Sequence, residues 1–201
     1  MNTGSLIITG LLIILAYGIG SISGAISVCR FFSLADPRAS GSQNPGATNV
    51  YRIGGTTPAI ITLIIDSVKG AIPVYLAVIS ELPALAQGII ALAAITGHMF
   101  PVFYQFKGGK GVATTLGAGL VLSPVTTLII TACWVAVARK VRISSVASLT
   151  AALIAPLTAY LLDPSYTLVY GILSVMIVFR HKDNITALLT HNEKRLDKPD
   201  L

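Results

Sequence analysis

A chain of 201 residues, 54% hydrophobic and only 11% charged, carries more apolar surface than a water-soluble fold of its size can hide. Disorder is excluded for the opposite reason, because it needs charge and few aliphatic side chains. What remains is a polytopic membrane protein. In that class a net charge of +6 reads as Lys and Arg held in cytoplasmic loops, so no nucleic-acid partner is expected.

Charge-free stretches mark the expected spans. The first, residues 1–29, has no basic n-region and too long an apolar run for a signal h-region, so it is expected to be a span and not a cleaved signal. Residues 53–65 and 70–80 read as one span interrupted by Asp66 and Lys69. Then come 82–106, 111–138, 143–162 and 164–179.

Basic residues set the topology. Arg30, Arg38 and Arg52 follow the first span, and Lys107 and Lys110 follow the third. Arg139, Lys140 and Arg142 form one cluster; Arg180, Lys182, Lys194, Arg195 and Lys198 stand at the C-terminus. Only Lys69 lies inside a span, and the links 81–83 and 163–164 carry no Lys or Arg. The positive-inside rule then puts the N-terminus outside and segments 31–56, 105–111, 139–143 and 181–201 inside.

Parity makes 111–138 cross twice or not at all. Ser123-Pro124 is a natural turn near its middle. Two crossings there are short, about 12 to 14 residues or roughly 20 Å each, and need shielding by protein or a thinned bilayer. The expected fold is all-α: one polytopic domain over 1–201 with seven transmembrane helices and short interfacial helices on the cytoplasmic face. Five spans with a re-entrant hairpin is the alternative. No repeat is visible.

The inside segments carry the chemistry. In 31–56, small and polar residues run from Ser40 to Asn49 and include Ser42, Asn44, Gly46 and Thr48. Asn44-Pro45 reads as an N-cap with Pro at the first helical position, and Gly54-Gly55 as a stop. A helix start with unbonded N–H groups is an anion site, and Arg52 can add a bidentate grip on phosphate. The bland reading, a polar turn and a capped helix, is slightly favoured for this segment by itself.

The second segment is sharper. Phe106-Lys107-Gly108-Gly109-Lys110-Gly111 enters a transmembrane helix. Three glycines permit close backbone approach, and two lysines with a helix N-terminus favour an anion. It is not a Walker A loop, since Gly111 follows Lys110. Contact with lipid head groups needs lysines but not three glycines, so the phosphate reading is preferred. The third segment, Arg180-His181-Lys182-Asp183-Asn184, offers His181 and Asn184 three residues apart. Asp183 is expected to cap a surface helix carrying Ile185, Leu188, Leu189 and Leu196.

Weaker features complete the reading. Asp66 and Lys69, one turn apart, are expected to pair in the bundle interior. Ser144, Ser145 and Ser148 begin a span, where capping competes with head-group binding. Gly20 and Gly24 fit close helix packing. Cys29 and Cys133 lie far apart in apolar runs. No Ser-His-Asp arrangement, paired carboxylates or metal cluster is evident, so neither cofactor nor metal is expected. The pattern points to phosphorylated substrates handled at the membrane by binding and electrostatics.

These segments resemble the bacterial acyl-phosphate:glycerol-3-phosphate acyltransferases. The likeness is carried by Ser42 with Asn44-Pro45-Gly46-Ala47-Thr48-Asn49, Gly97-His98 with Pro101-Val102-Phe103 and 106–114, and Arg180-His181 with Asn184-Ile185, Leu188 and Glu193. Asp66-Ser67-Val68-Lys69-Gly70 and Ser145 add to it. Three departures stand out: Gln43 and His191 replace usual glycines, and Ser21-Ile22-Ser23 replaces a common Ser-Ile-Pro.

The resemblance implies seven helices in the bacterial cytoplasmic (inner) membrane, with the active site facing the cytoplasm. It implies transfer of a fatty acyl group from acyl-phosphate to the sn-1 hydroxyl of glycerol 3-phosphate, giving lysophosphatidic acid and inorganic phosphate. This is the first acylation of phospholipid synthesis. By the family pattern Ser42, Lys110 and His181 are catalytic. Arg52, Lys107, Ser145, Asn184 and Glu193 bind substrate, with Asn44, Gly46, Thr48, Asn49, Gly108, Gly109 and Gly111 around the two cradles. A membrane-embedded monomer and direct transfer without an acyl-enzyme are expected. The alternative class is a small anion or phosphate transporter.

Overall fold

A computed structural model describes residues 3–196, so Lys198 lies outside the described part. The described residues form ten α-helices: α1 Thr3–Gly20, α2 Gly24–Phe31, α3 Ala47–Gly54, α4 Thr56–Ile79, α5 Ala84–Met99, α6 Val112–Leu122, α7 Pro124–Val141, α8 Ser144–Leu162, α9 Thr167–Arg180 and α10 Lys182–Leu189. Five segments are long and apolar enough to cross a bilayer: Thr3–Phe31, Thr56–Ile79, Ala84–Tyr104, Pro124–Val141 and Ser144–Leu162. Val112–Leu122 and Pro164–Arg180 are shorter apolar helices. Their outer faces present Leu11, Ile14, Leu153, Leu168 and Val175. Exposed aliphatic side chains on this scale suit hydrocarbon rather than water.

The first stretch is not one helix. It breaks at Ser21-Ile22-Ser23, where Ser23 caps α2 by accepting the Ile26 N–H. A break inside an apolar bundle frees backbone groups that no water can serve. The expected pair Asp66 and Lys69 forms, at 2.7 Å and almost fully buried, and it serves them. Lys69 Nζ donates to Ile22 O at 2.6 Å, and Asp66 Oδ1 accepts the Gly24 N–H at 3.1 Å. The cation thus sits at the C-terminal end of α1 and the carboxylate at the N-terminal end of α2, each matching the helix dipole.

The stretch 111–138 is two helices turning at Ser123-Pro124, but they are unequal. α6 has 11 residues, and α7 has 18 and runs through Arg139 and Lys140 to Val141. The short α6 is shielded by α4. Gly70 and Gly117 leave no room for a Cβ against Thr114 O and Ser67 O, so the two backbones pack in direct contact. Gly20 packs likewise on Ala94 O, and Gly24 on the Asp66 carboxylate.

Two further expectations are corrected. The loop helix starts at Ala47 with Gly46 as N-cap, because Asn44-Pro45-Gly46 makes a tight turn in which Gly46 N–H bonds Asn44 O. Asp183 lies inside the first turn of α10, whose N-cap is His181, and Leu196 lies beyond that helix, its N–H bonded to Arg142 O at 2.6 Å.

Gln43 and His191, the residues standing where glycine is usual, both adopt left-handed backbone, at φ +58° and +57°. An L-residue pays about 1–2 kcal/mol there, partly offset by glycine's larger chain entropy. Gln43→Gly and His191→Gly are therefore each expected to raise stability by about 0.5–1 kcal/mol, read as an upward shift of the thermal midpoint in detergent. A drop at both positions would refute this reading of the backbone.

Candidate active site

Segments of α2–α3, α5–α6, α7–α8 and the C-terminus meet at one end of the bundle around a cavity of about 1090 Å³. Every residue expected in the site lines it except Lys107 and Gly109. Lys107 is exposed. Gly109 is buried, and its N–H donates to His98 O at 3.1 Å, so that amide is turned away from a ligand.

The glycine loop has two anchors. His98 O holds Gly109, while Arg180 donates from Nε to Gly109 O at 3.1 Å and from Nη2 to Gly108 O at 2.7 Å. With its carbonyls held by Arg180, the loop delivers Lys110 and the left-handed Gly111, φ +83°, which leads into α6. The first-turn amides of α6 have no carbonyl within their own helix to bond. Gly111, Val112 and Ala113 line the cavity there.

Lys110 Nζ donates to Asn184 Oδ1. Asn184 Nδ2 donates to Glu193 Oε1 at 2.7 Å, and Ser145 Oγ donates to the same oxygen at 2.6 Å. Burial pulls the Lys110 ammonium down to about 8. Glu193 opposes this, and Arg52 and Arg180 add to it.

His181 is 2% exposed, at the junction of α9 and α10. Its Nδ1 lies 2.8 Å from Ile177 O. A carbonyl only accepts, so Nδ1 carries the proton and Nε2 keeps its lone pair. Burial, then the Lys110 charge, lowers this imidazole to about 4, so it is neutral near pH 7.

The loop 31–46 is organised by Asn49, fully buried. Asn49 Nδ2 donates to Pro37 O at 2.8 Å and Ser40 O at 3.0 Å, and Oδ1 accepts the Ser42 N–H at 2.7 Å. Its side-chain amide is engaged in shaping the loop that places Ser42 at the cavity. Thr48 Oγ1 lies 3.2 Å from Ser144 Oγ, joining α3 to α8. Arg52 Nη2 donates to Lys194 O at 3.3 Å. Lys194 Nζ donates to Gly41 O at 2.8 Å, tying the segment that brings Asn192, Glu193, Lys194 and Leu196 to the cavity to the loop before α3.

Three contributors were not assigned from sequence: Arg180 as the clamp on the loop, and Asp66 and His98 in the wall. Nor was a second, apolar cavity of about 250 Å³ among α6–α9, which shares Leu63, Val112, Ala113, Trp134 and Ser148 with the polar one. Trp134 Nε1 donates to Ser148 Oγ at 3.0 Å where the two meet. Cys29 is buried in α2, and neither Cys29 nor Cys133 lines either cavity.

A pocket lined by Arg52, Lys110, Arg180, Lys182 and Lys194 thus lies beside an apolar cavity in a bundle of apolar helices. The family model described as glycerol-3-phosphate acyltransferase matches residues 10–191. The glycerol-3-phosphate acyltransferase of Hahella chejuensis is 54% identical over 182 residues, covering 90% of this chain and 94% of that one. That of Pseudoalteromonas translucida is 48% identical over 186 residues, covering 92% of each. The crystal structure of PlsY (YgiH), an integral membrane glycerol 3-phosphate acyltransferase, matches in its glycerol 3-phosphate form with TM-score 0.88 at 36% identity, over 93% of this chain and 94% of that one. Its lysophosphatidic acid form matches with TM-score 0.86 at 35% identity over the same shares. The chain belongs to the glycerol-3-phosphate acyltransferase family.

Proposed function

We propose that this protein transfers a fatty acyl group from acyl-phosphate to the sn-1 hydroxyl of glycerol 3-phosphate at the cytoplasmic face of a bacterial inner membrane. The products are lysophosphatidic acid and inorganic phosphate. The observation that carries the reading is the pair of adjoining cavities, which share Leu63, Val112, Ala113, Trp134 and Ser148. Lys110, Arg52 and the first-turn amides of α3 and α6 suit phosphates, and the apolar chamber beyond Trp134 suits an acyl chain. Acyl-phosphate is itself a phosphate with an acyl tail.

Ser42, Lys110 and His181 act on the reacting groups, while Ser145, Asn184 and Glu193 hold Lys110 and the bound phosphate. A working monomer is part of the same reading. Purified protein given palmitoyl-phosphate and glycerol 3-phosphate is expected to release inorganic phosphate and form lysophosphatidic acid. Palmitoyl-coenzyme A in its place is expected to give none. Product from the thioester alone would reassign the donor. A phosphate transporter would give no product from either, and the freed backbone of the broken α1–α2 span is occupied by Lys69 and Asp66 rather than offered to an ion.

The same reading has seven spans with the N-terminus outside, α6 and α7 forming a short shielded pair, and α10 at the interface. The convergence of the four basic segments on one end supports it, as does the opposite placement of the two links that carry no Lys or Arg. There Tyr166 Oη donates to Gln87 Oε1 at 2.6 Å. In a cysteine-free background, single cysteines at the exposed positions Gln105 and Lys140 are expected to label only from the cytoplasm, and those at Glu81 and Ser165 only from outside. Outside labelling at Gln105 would invert the arrangement.

A further inference from the structure

The cluster at the α1–α2 break reaches further than the two helix ends. Besides Gly24 N–H and Lys69, Asp66 Oδ1 faces His98 Nδ1 at 3.7 Å. His98 is 6% exposed on the last turn of α5 and, with Asp66, reaches the wall of the polar cavity. Its carbonyl holds Gly109 N–H, and its ring backs Gly109 so closely that a Cβ there would collide with Nε2. At the break itself Ser21 Oγ accepts Val102 N–H at 3.3 Å, in the turn that leads to the same loop.

Serving the broken helix needs only one donor and one acceptor. Neutral amides would do that at a smaller desolvation cost. What a neutral pair lacks is a field. At 3.7 Å the Asp66–His98 contact is too long for a hydrogen bond, so the carboxylate orients the ring by charge, in an interior that screens it little. Rotation of that ring would move the wall on which Gly109 rests.

We propose that Asp66, Lys69 and His98 are positioning residues that set the glycine loop for phosphate, so that an interrupted membrane helix preorganises an anion site at its end. The proposal rests on reading 108–111 as a phosphate cradle.

The test is the variant Asp66→Asn/Lys69→Gln, which keeps a donor and an acceptor but removes the field, together with His98→Leu. The readouts are inhibition by inorganic phosphate, the kcat and KM split, and the thermal midpoint. The double variant is expected to keep its midpoint within a few degrees while phosphate inhibition weakens about tenfold. His98→Leu is expected to weaken it by a similar factor. Combining all three should cost no more than either alone, because they act along one chain.

An unchanged phosphate constant in the folded double variant would overturn the proposal, and additive losses would overturn the link from pair to ring. Should the double variant not fold, His98→Leu decides by itself: an unchanged constant there overturns the positioning role. Wild-type protein that is not inhibited by inorganic phosphate at all would instead count against the cradle.

Discussion

Lys110→Met is expected to fold normally and lose most of its activity. The Lys110 ammonium reaches from the glycine loop to Asn184 beside the Glu193 carboxylate, in a pocket partly shielded from water. A charge-assisted bond to phosphate there is worth roughly 1.5–3 kcal/mol, about ten- to hundredfold in kcat/KM, and more if the bond tightens in the transition state. Burial holds Lys110 at about 8. The cation is therefore complete below that pH and fades as pH rises through it, so KM for the phosphate substrate it holds is expected to climb above pH 8. Lys110→Arg should flatten that alkaline limb, because a guanidinium stays charged. It should not restore the rate, because a planar fork does not fit where a point charge sits between tight glycines. Phosphate-release kinetics across pH checks both arms. Near-normal kcat/KM in Lys110→Met would make this loop a lipid-facing one.

Much of this was legible in the chain because the bilayer writes coarse signals. Charge-free runs marked the five segments long and apolar enough to cross a bilayer, and Asp66 with Lys69 announced a buried pair. The α1–α2 break left little trace, since Ser21-Ile22-Ser23 holds neither Gly nor Pro and the groups that stabilise it lie on α4. The extension of α7 through Arg139 and Lys140 was hidden because charge ends a span but not a helix. In the site, Lys110, His181 and Asn184 were readable from motif spacing. Arg180's grip on the loop carbonyls and the chamber beyond Trp134 depend on residues far apart in sequence, and no local pattern encodes them. Gln43 and His191 are the instructive middle case: the resemblance marked both as departures from glycine, and both adopt the left-handed backbone that glycine takes without steric cost.

The largest mechanistic effect is expected at His181, and its pattern separates two roles for that imidazole. In the proposed reaction the donor, acyl-phosphate, is a mixed anhydride that already carries its leaving group, so that reaction needs no acyl-enzyme. Ser145 Oγ donates to Glu193 and not to a histidine, so no serine–histidine couple forms there. The hydroxyl of glycerol 3-phosphate must still lose a proton. An imidazole held near 4 is a weak base, whereas a bound phosphate oxygen is a better one and lies next to the reacting carbonyl. The unprotonated Nε2 is suited to accept a hydrogen bond from that hydroxyl and aim it. Direct transfer with the donor's phosphate as base predicts sequential kinetics and no labelled protein when acyl-phosphate is added alone. His181→Gln places an amide oxygen near Nε2 and keeps an acceptor without a base, so it should retain activity. His181→Ala should fall a further ten- to hundredfold, about 1.4–2.7 kcal/mol of transition-state stabilisation. Equal inactivity of the two variants would restore His181 as the base, and a trapped acyl group on Ser42, Ser145, Cys29 or Cys133 would replace direct transfer with a two-step path.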